Sequence, residues 1–406
     1  MPMVVFVAPF FMPTTLRFVD AVAGLPDVTV CLVSQEPPEK LPEKLAARLA
    51  AHRQIEDALD PSRIADTVRD LGGRYGAPER LLGVLEQLQV PLAKVREHLG
   101  IDGLGVRAAE NFRDKSRMKT VLREAGVPCA RHALVDGATA AHSFAREVGF
   151  PVVVKPPAGA GARDTFRVDD DRQLRQALAA APPGPGRPVL MEEFITGEEH
   201  SFDTVSLRGR PVWHSLSRYY PTPLEVMENP WIQWCVLLPR EIDEPGYDEI
   251  RSVATRALDA LGMETGLSHM EWFRRADGSV AVSEVGARPP GAQFTTLMSY
   301  AHEMNLYTAW ARLMVFETFE PPERRYAAGA AYLRGQGRGR VRAIHGLDEA
   351  QRELGHLVVE VRLPQLGQAP ASSYEGEGYV ILRHPETEVV KQALARVVSL
   401  IRVELA

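Results

Sequence analysis

Short unbroken apolar runs alternate along the chain with stretches whose apolar residues recur every three or four positions. Met3 to Ala8 is the first run, Leu16 to Ala23 carries helical spacing, and Val28 to Val33 is a second run closed by Ser-Gln-Glu-Pro-Pro. Continuous apolar strands joined by a helix predict a parallel sheet covered on both faces, with its ligand crevice at the strand carboxyl ends. The spacing predicts further helices over 64–71, 81–99 and 110–125, the last stopped by Gly126 and Pro128. A helix-like stretch over 140–148, a strand from Pro151 to Lys155, a small-residue loop to Arg163 and a helix near 173–181 come next. Past the turn-rich PPGPGRP, strands are expected at 189–193, 202–205, 268–273 and 280–284, with a helix over 250–261 and a helix-like stretch to about Phe316. Glu320-Pro321-Pro322-Glu323 marks a boundary, after which strands and loops lead to a final helix from Glu388.

The 406 residues, 45% hydrophobic and 25% charged, suffice for two or three domains with cores of their own. Lys and Arg number 47 against 53 Asp and Glu, a net charge of -6, which disfavours a nucleic-acid partner. Cys31, Cys129 and Cys235 are far apart and form no CxxC pair, so neither zinc nor a redox centre is expected and a reducing cytoplasm fits. The apolar start lacks a basic leader and is interrupted by Arg17 and Asp20, which favours a buried strand. No uncharged run reaches the ~18 to 20 residues that cross a bilayer, so no membrane partner is expected.

Several chemistries are disfavoured by missing motifs. Pro9-Phe10-Phe11-Met12-Pro13 stands where a dinucleotide binder would carry G-x-G-x-x-G, so the first domain need not hold a nucleotide. There is no phosphate-binding G-x-x-x-x-G-K-[ST] loop and no G-x-S-x-G elbow, and His302-Glu303 lacks the second histidine of a zinc helix. His200, His214 and His269 are scattered and fit structural or orienting roles better than metal ligation.

Five features in fixed order suit one MgATP site. Asp114-Lys115 opens a helix, so Lys115 could reach a phosphate. The strand Val152-Val153-Val154 ends in Lys155 and runs into a loop containing Gly159 and Gly161, where backbone N–H groups can approach a triphosphate. Glu192, Glu193 and Ile195 follow an apolar strand, and Glu199 lies just beyond the next turn; such a hinge offers acceptors and a backbone N–H to a purine and a carboxylate to a ribose. Glu271 and Glu284 end facing strands of a hairpin, and two carboxylates so close repel unless a cation such as Mg2+ lies between them. Arg288, just before Pro289-Pro290-Gly291, could stabilise charge on a transferring phosphoryl group. Singly, each has a plainer reading: a solvated helix face, an edge lysine with its amine in water, an acidic turn, exposed strand carboxylates. The interval from Ser215 to Trp234 is dense in aromatics, and by itself reads as packing.

The ordered set DK, VVVKPPAGAGA, EEFITGEEHS, HMEWF and SEVGARPPG closely resembles the ATP-grasp superfamily, and within it the biotin-carboxylase-like and L-amino-acid ligases. The resemblance spans about 101–316. It implies a mixed α/β and α+β architecture: a Rossmann-like domain (1–105), an ATP-grasp domain (106–318, small lobe about 120–192) and a C-terminal α+β domain (319–406). It further implies ATP and Mg2+ (or Mn2+) as cofactors, with Lys115 and Lys155 on the phosphates, Glu192, Glu193 and the Ile195 backbone at adenine, and Glu199 at ribose. Glu271 and Glu284 would bind metal, and Arg288 and Lys155 would assist catalysis. In the related ligases the interval 215–234 covers the reaction centre, which implies acceptor recognition by Arg218, Tyr219, Trp231 or Trp234 unless these residues only pack the lobe. The implied reaction is ADP-forming ligation of a small-molecule carboxylate to an amine through an acyl phosphate, with a homodimer open. Alternatives are an ATP-grasp carboxylase or phosphotransferase, or a catalytically impaired ATP-binding regulatory protein. One departure stands out: the family motif E-x-N-x-R reads Glu284-Val285-Gly286-Ala287-Arg288 in this chain, with glycine for asparagine.

Overall fold

The computed structural model describes residues 1–158, 165–229 and 231–406. The first apolar runs form a parallel four-stranded sheet in the order Ala51–Gln54, Thr29–Ser34, Met3–Val7, Pro78–Leu82. Met3, Val5 and Val7 share a core with Ile64, Val68 and Leu92 of the helices Pro61–Tyr75 and Gln89–Leu99. Val4 and Phe6 face the other way, joining Phe18 of the helix Pro13–Ala23 and the distant Trp310, whose ring lies 6.3 Å from that of Phe6. Burial on both faces is why the run is apolar at every position.

Two expected helices are divided. Leu81 and Leu82 end a strand beside Met3–Val7, a short 3-10 turn spans Glu86–Leu88, and the helix proper is Gln89–Leu99. Leucines buried on both faces satisfy a central strand as well as a helix, and sheet pairing decided between them. The stretch 110–125 is broken at Asp114 into the helices Val106–Arg113 and Lys115–Glu124. The Asp114 carboxylate accepts from the N–H groups of Ser116 and Arg117, both at 2.9 Å, capping the second helix.

A second sheet, antiparallel, runs His132–Val135, Val189–Glu193, Val152–Lys155, Phe166–Val168 under the helices Ala138–Val148 and Asp171–Ala180. The largest sheet has eight antiparallel strands in the order Val280–Gly286, Gly266–Arg274, Glu198–Leu207, Arg210–Tyr220, Trp234–Leu238, Ala327–Leu333, Gly378–His384, Val358–Arg362. Its last three strands come from beyond residue 319, so the C-terminal segment continues this sheet. Gly329 permits the close seat of the helix Thr387–Leu400, since a Cβ there would meet a Leu394 methyl at 2.6 Å. The chain ends in a strand, Arg402–Leu405, that the final-helix expectation missed; it joins Gly335–Gly337 and Val341–His345 in a small sheet. No helix among the described residues is long and apolar enough to cross a membrane.

Candidate active site

One face of the eight-stranded sheet buries Phe202, Leu216, Met270, Trp272 and Val285 beneath the helix Asp248–Leu261. Strand alternation turns the intervening residues to the other face, and register aligns them: Glu271 lies opposite Glu284 and Ser201, and His269 opposite Asp203 and Gly286. Glu199, two residues before Ser201, shares this face. The Glu271–Glu284 register depends on a bulge, because Trp272 pairs with Val282 and leaves Ser283 extra.

Cations from other elements converge on these acids. Lys115, the first residue of its helix, donates from Nζ to Glu284 Oε1 at 2.7 Å. Lys155, ending its strand, lies 3.0 Å from Glu192 Oε2. Burial would lift the Glu284 carboxyl, but Lys115 and Lys155 outweigh it and hold it down at about 2. Burial would likewise lower Lys155, yet the charges of Glu192 and Glu284 raise it. Glu199 behaves oppositely: burial, reinforced by Glu271 and Glu284 and only partly offset by Lys155, lifts its carboxyl well above the ordinary value.

A third lysine was not anticipated. Lys119, one turn after Lys115, is fully buried; its ammonium donates to the bulged Ser283 carbonyl at 2.7 Å and lies 3.4 Å from Glu192 Oε1. Glu192 thus sits between two lysines, which overcome the effect of burial and lower its pKa. Its Oε2 faces Lys155 and its Oε1 faces Lys119. Lys119, which touches both Glu192 and the Ser283 carbonyl beside Glu284, ties Lys155 and Glu284 into one cluster.

Glu193 points the other way, as its neighbour in a strand must. Its carboxylate accepts from Arg131 at 2.6 Å and lies 3.8 Å from Arg275. At the hinge, the Glu193 and Phe194 N–H groups go to the Arg131 and Pro151 carbonyls, and Ile195 is buried just beyond. Gly159 and Gly161 lie outside the described residues.

The four proposed acceptor-binding residues separate. Tyr219 and Trp234 are buried on the acidic face, edge to face at 5.5 Å, and Trp234 also meets Tyr374 of the C-terminal segment at 4.5 Å. Arg218 emerges on the opposite face, where it donates to the Tyr247 hydroxyl at 2.6 Å, because strand alternation places it with His200. Trp231 is 63% exposed in the loop before the strand Trp234–Leu238.

Two further groups adjoin the cluster. His269 lies 2.6 Å from Asp203 and 3.8 Å from Glu271; burial would lower its pKa, but Asp203 outweighs that and lifts it to about 9. Arg288 donates to Glu86 at 2.7 Å, a residue of the 3-10 turn at the carboxyl end of the parallel sheet. Glu86 carried no motif, so only the crevice rule for parallel sheets hinted at it.

No group of three or more His, Cys, Asp or Glu side chains among the described residues is arranged to hold a metal ion by itself. The facing Glu271 and Glu284, with Glu199 nearby, nevertheless suit a hard divalent cation that takes its other oxygens from phosphate and water.

Residues 120–302 match the profile of the ATP-grasp domain. The L-arginine-specific L-amino acid ligase of Bacillus subtilis is 25% identical over 249 residues, covering 60% of this chain and 59% of that enzyme. The chain therefore spans less than two thirds of that relative. The L-amino acid ligase from Bacillus licheniformis superposes with a TM-score of 0.79 at 20% identity, over 100% of this chain and 99% of that one. The biotin carboxylase domain of Hydrogenobacter thermophilus 2-oxoglutarate carboxylase, solved with MgADP and bicarbonate, gives 0.68 at 16% identity, over 99% and 90% of the two chains. These likenesses establish the fold.

Proposed function

We propose that the acidic face around Glu271 and Glu284, with Lys115 and Lys155, binds MgATP and joins a carboxylate to an amine, releasing ADP and phosphate, a reading supported by the match of residues 120–302 to the ATP-grasp domain. The observation that carries this reading is a run of contacts that ties Lys155 to the Glu284 segment from separate sheets: Lys155 to Glu192, Glu192 to Lys119, Lys119 to the Ser283 carbonyl, and Lys115 to Glu284. Separate cavities for these two residues would have removed its basis. The carboxylate-joining class rests on the likeness to L-amino acid ligases.

In this reading Lys115 and Lys155 bind the phosphates, and the Glu192 carboxylate, oriented between Lys119 and Lys155, faces the adenine amino group. The Ile195 N–H meets the ring, and Glu199 holds ribose. Glu271 and Glu284 hold Mg2+, which when bound neutralises phosphate charge. A substrate carboxylate oxygen attacks the γ-phosphorus; the bond to the bridging oxygen breaks and ADP leaves with the electron pair. The amine nitrogen then attacks the acyl carbon, phosphate departs, and the nitrogen loses its proton. Positioning and charge neutralisation by Lys115, Lys155 and Arg288 supply the catalysis without a protein nucleophile. Tyr219 and Trp234, buried on the same face, are suited to shape the acceptor side.

Incubation with ATP and paired carboxylates and amines should release ADP and phosphate and give a condensed product by mass, and hydroxylamine should divert it to a hydroxamate. AMP and pyrophosphate would overturn the acyl-phosphate route. Glu284→Gln should lower turnover by ~100-fold or more; unaltered turnover would reject its role.

A further inference from the structure

Gly286 occupies the position at which the resembling motif carries asparagine, and the structure supplies a reason for its being glycine. It lies in register with His269, two residues after Glu284, on the acidic face of the sheet. A Cβ at this position would stand 3.3 Å from Glu86 Oε2 and 3.7 Å from Arg288 Cγ. That is closer than carbon and oxygen ordinarily pack, and anything beyond Cβ would enter the space of the Glu86–Arg288 pair. Arg288 donates from Nε to Glu86 at 2.7 Å and from Nη1 to the Pro289 carbonyl at 3.0 Å, so the guanidinium is held from two sides. The other Glu86 oxygen lies 3.9 Å from Arg113, at the end of the helix leading to Lys115. The pair is largely withdrawn from water, with Glu86 10% and Arg288 18% exposed.

We propose that Glu86, delivered by the N-terminal parallel sheet, is a positioning residue that holds Arg288 in the orientation used for the reaction, and that glycine at 286 admits it. A charge-assisted bond between two groups this dry fixes direction as well as charge, and a cation aimed before the reaction begins costs no reorganisation during it. Burial alone would weaken the Arg288 cation, and the Glu86 carboxylate reverses that. The Gly286 departure is then an exchange: a carboxylate from another part of the chain occupies the room of an amide side chain. This inference rests on the ligase reading for the meaning of Arg288, while the grip itself is a property of the fold.

The test uses the full chain with Glu86→Gln, Gly286→Ala and Gly286→Asn. Glu86→Gln should lower kcat by ~10- to 100-fold and leave the KM for ATP within about twofold. Gly286→Asn should match it and Gly286→Ala should fall between. Modification of Arg288 by phenylglyoxal, read by peptide mass mapping, should accelerate in Glu86→Gln and Gly286→Asn, whereas a merely structural role would lower Tm without that site-specific change. Unchanged kcat and unchanged Arg288 reactivity in Glu86→Gln would overturn the proposal. If no carboxylate and amine pair drives ADP release from the unaltered protein, the ligase reading fails, and Arg288 reactivity still decides the grip.

Discussion

Lys119 has no exposed surface, yet it carries an ammonium held by one carbonyl at 2.7 Å and one carboxylate at 3.4 Å. Burial depresses its pKa, and Glu192 offsets this in part. Lysines on amphipathic helices usually carry the amine out to water, so residue type alone gives Lys119 no buried role. The available signal was its four-residue offset from Lys115, beside the apolar stripe of Met118 and Leu122. Lys119→Met should destabilise the protein by about 3 kcal/mol in urea unfolding, since it removes one partner from a buried charge cluster. Adding Glu192→Gln should recover part of that loss, and independent additive effects would contradict the coupling.

Strand alternation separates two adjacent glutamates that the sequence presents as equals. Glu192 enters the lysine cluster and Glu193 leaves it for Arg131 and Arg275. Glu193→Ala should therefore leave ADP affinity within about twofold and stability within about 1 kcal/mol, whereas Glu192→Ala should weaken binding in a titration calorimeter. The helix Phe294–His302 carries a different consequence at its end. His302 Nδ1 meets the Glu323 carbonyl at 3.0 Å and Nε2 meets an Arg324 nitrogen at 3.1 Å, an arrangement that needs a neutral ring. Burial, with Arg324 beside it, lowers its pKa from 6.5 to about 3. The unfolded ring takes up its proton first as pH falls, so this contribution is present above 6.5 and lost below it, by up to roughly 1.4 kcal/mol per pH unit. His302→Gln should flatten that part of the acid limb in denaturant titrations between pH 6.5 and 4.

Across the molecule, cores are shared between segments distant in sequence. Phe6 and Phe18 pack against Trp310, and the eight-stranded sheet takes its last three strands from beyond residue 319. A chain ending at residue 319 would expose the edge of Trp234–Leu238, a strand buried at every position. Such a truncation should aggregate on a sizing column, and a soluble monomer with a cooperative thermal transition would contradict this account. The glutamate that grips Arg288 also comes from a distant segment, 202 residues earlier in the chain.

Local chemistry was readable directly from residue order. The apolar runs became strands because only two-sided burial accommodates them, and Lys115, the strand-end Lys155 and the hairpin carboxylates belong to one cluster. Which residues would join them was not encoded locally. The Ser283 bulge that receives Lys119, the sheet face that removes Arg218, and the loop that brings Glu86 to Arg288 all depend on register and on contacts between separated segments. A side chain's type and spacing follow from the chain, but its partner follows from where the backbone returns, and that is settled by packing the whole.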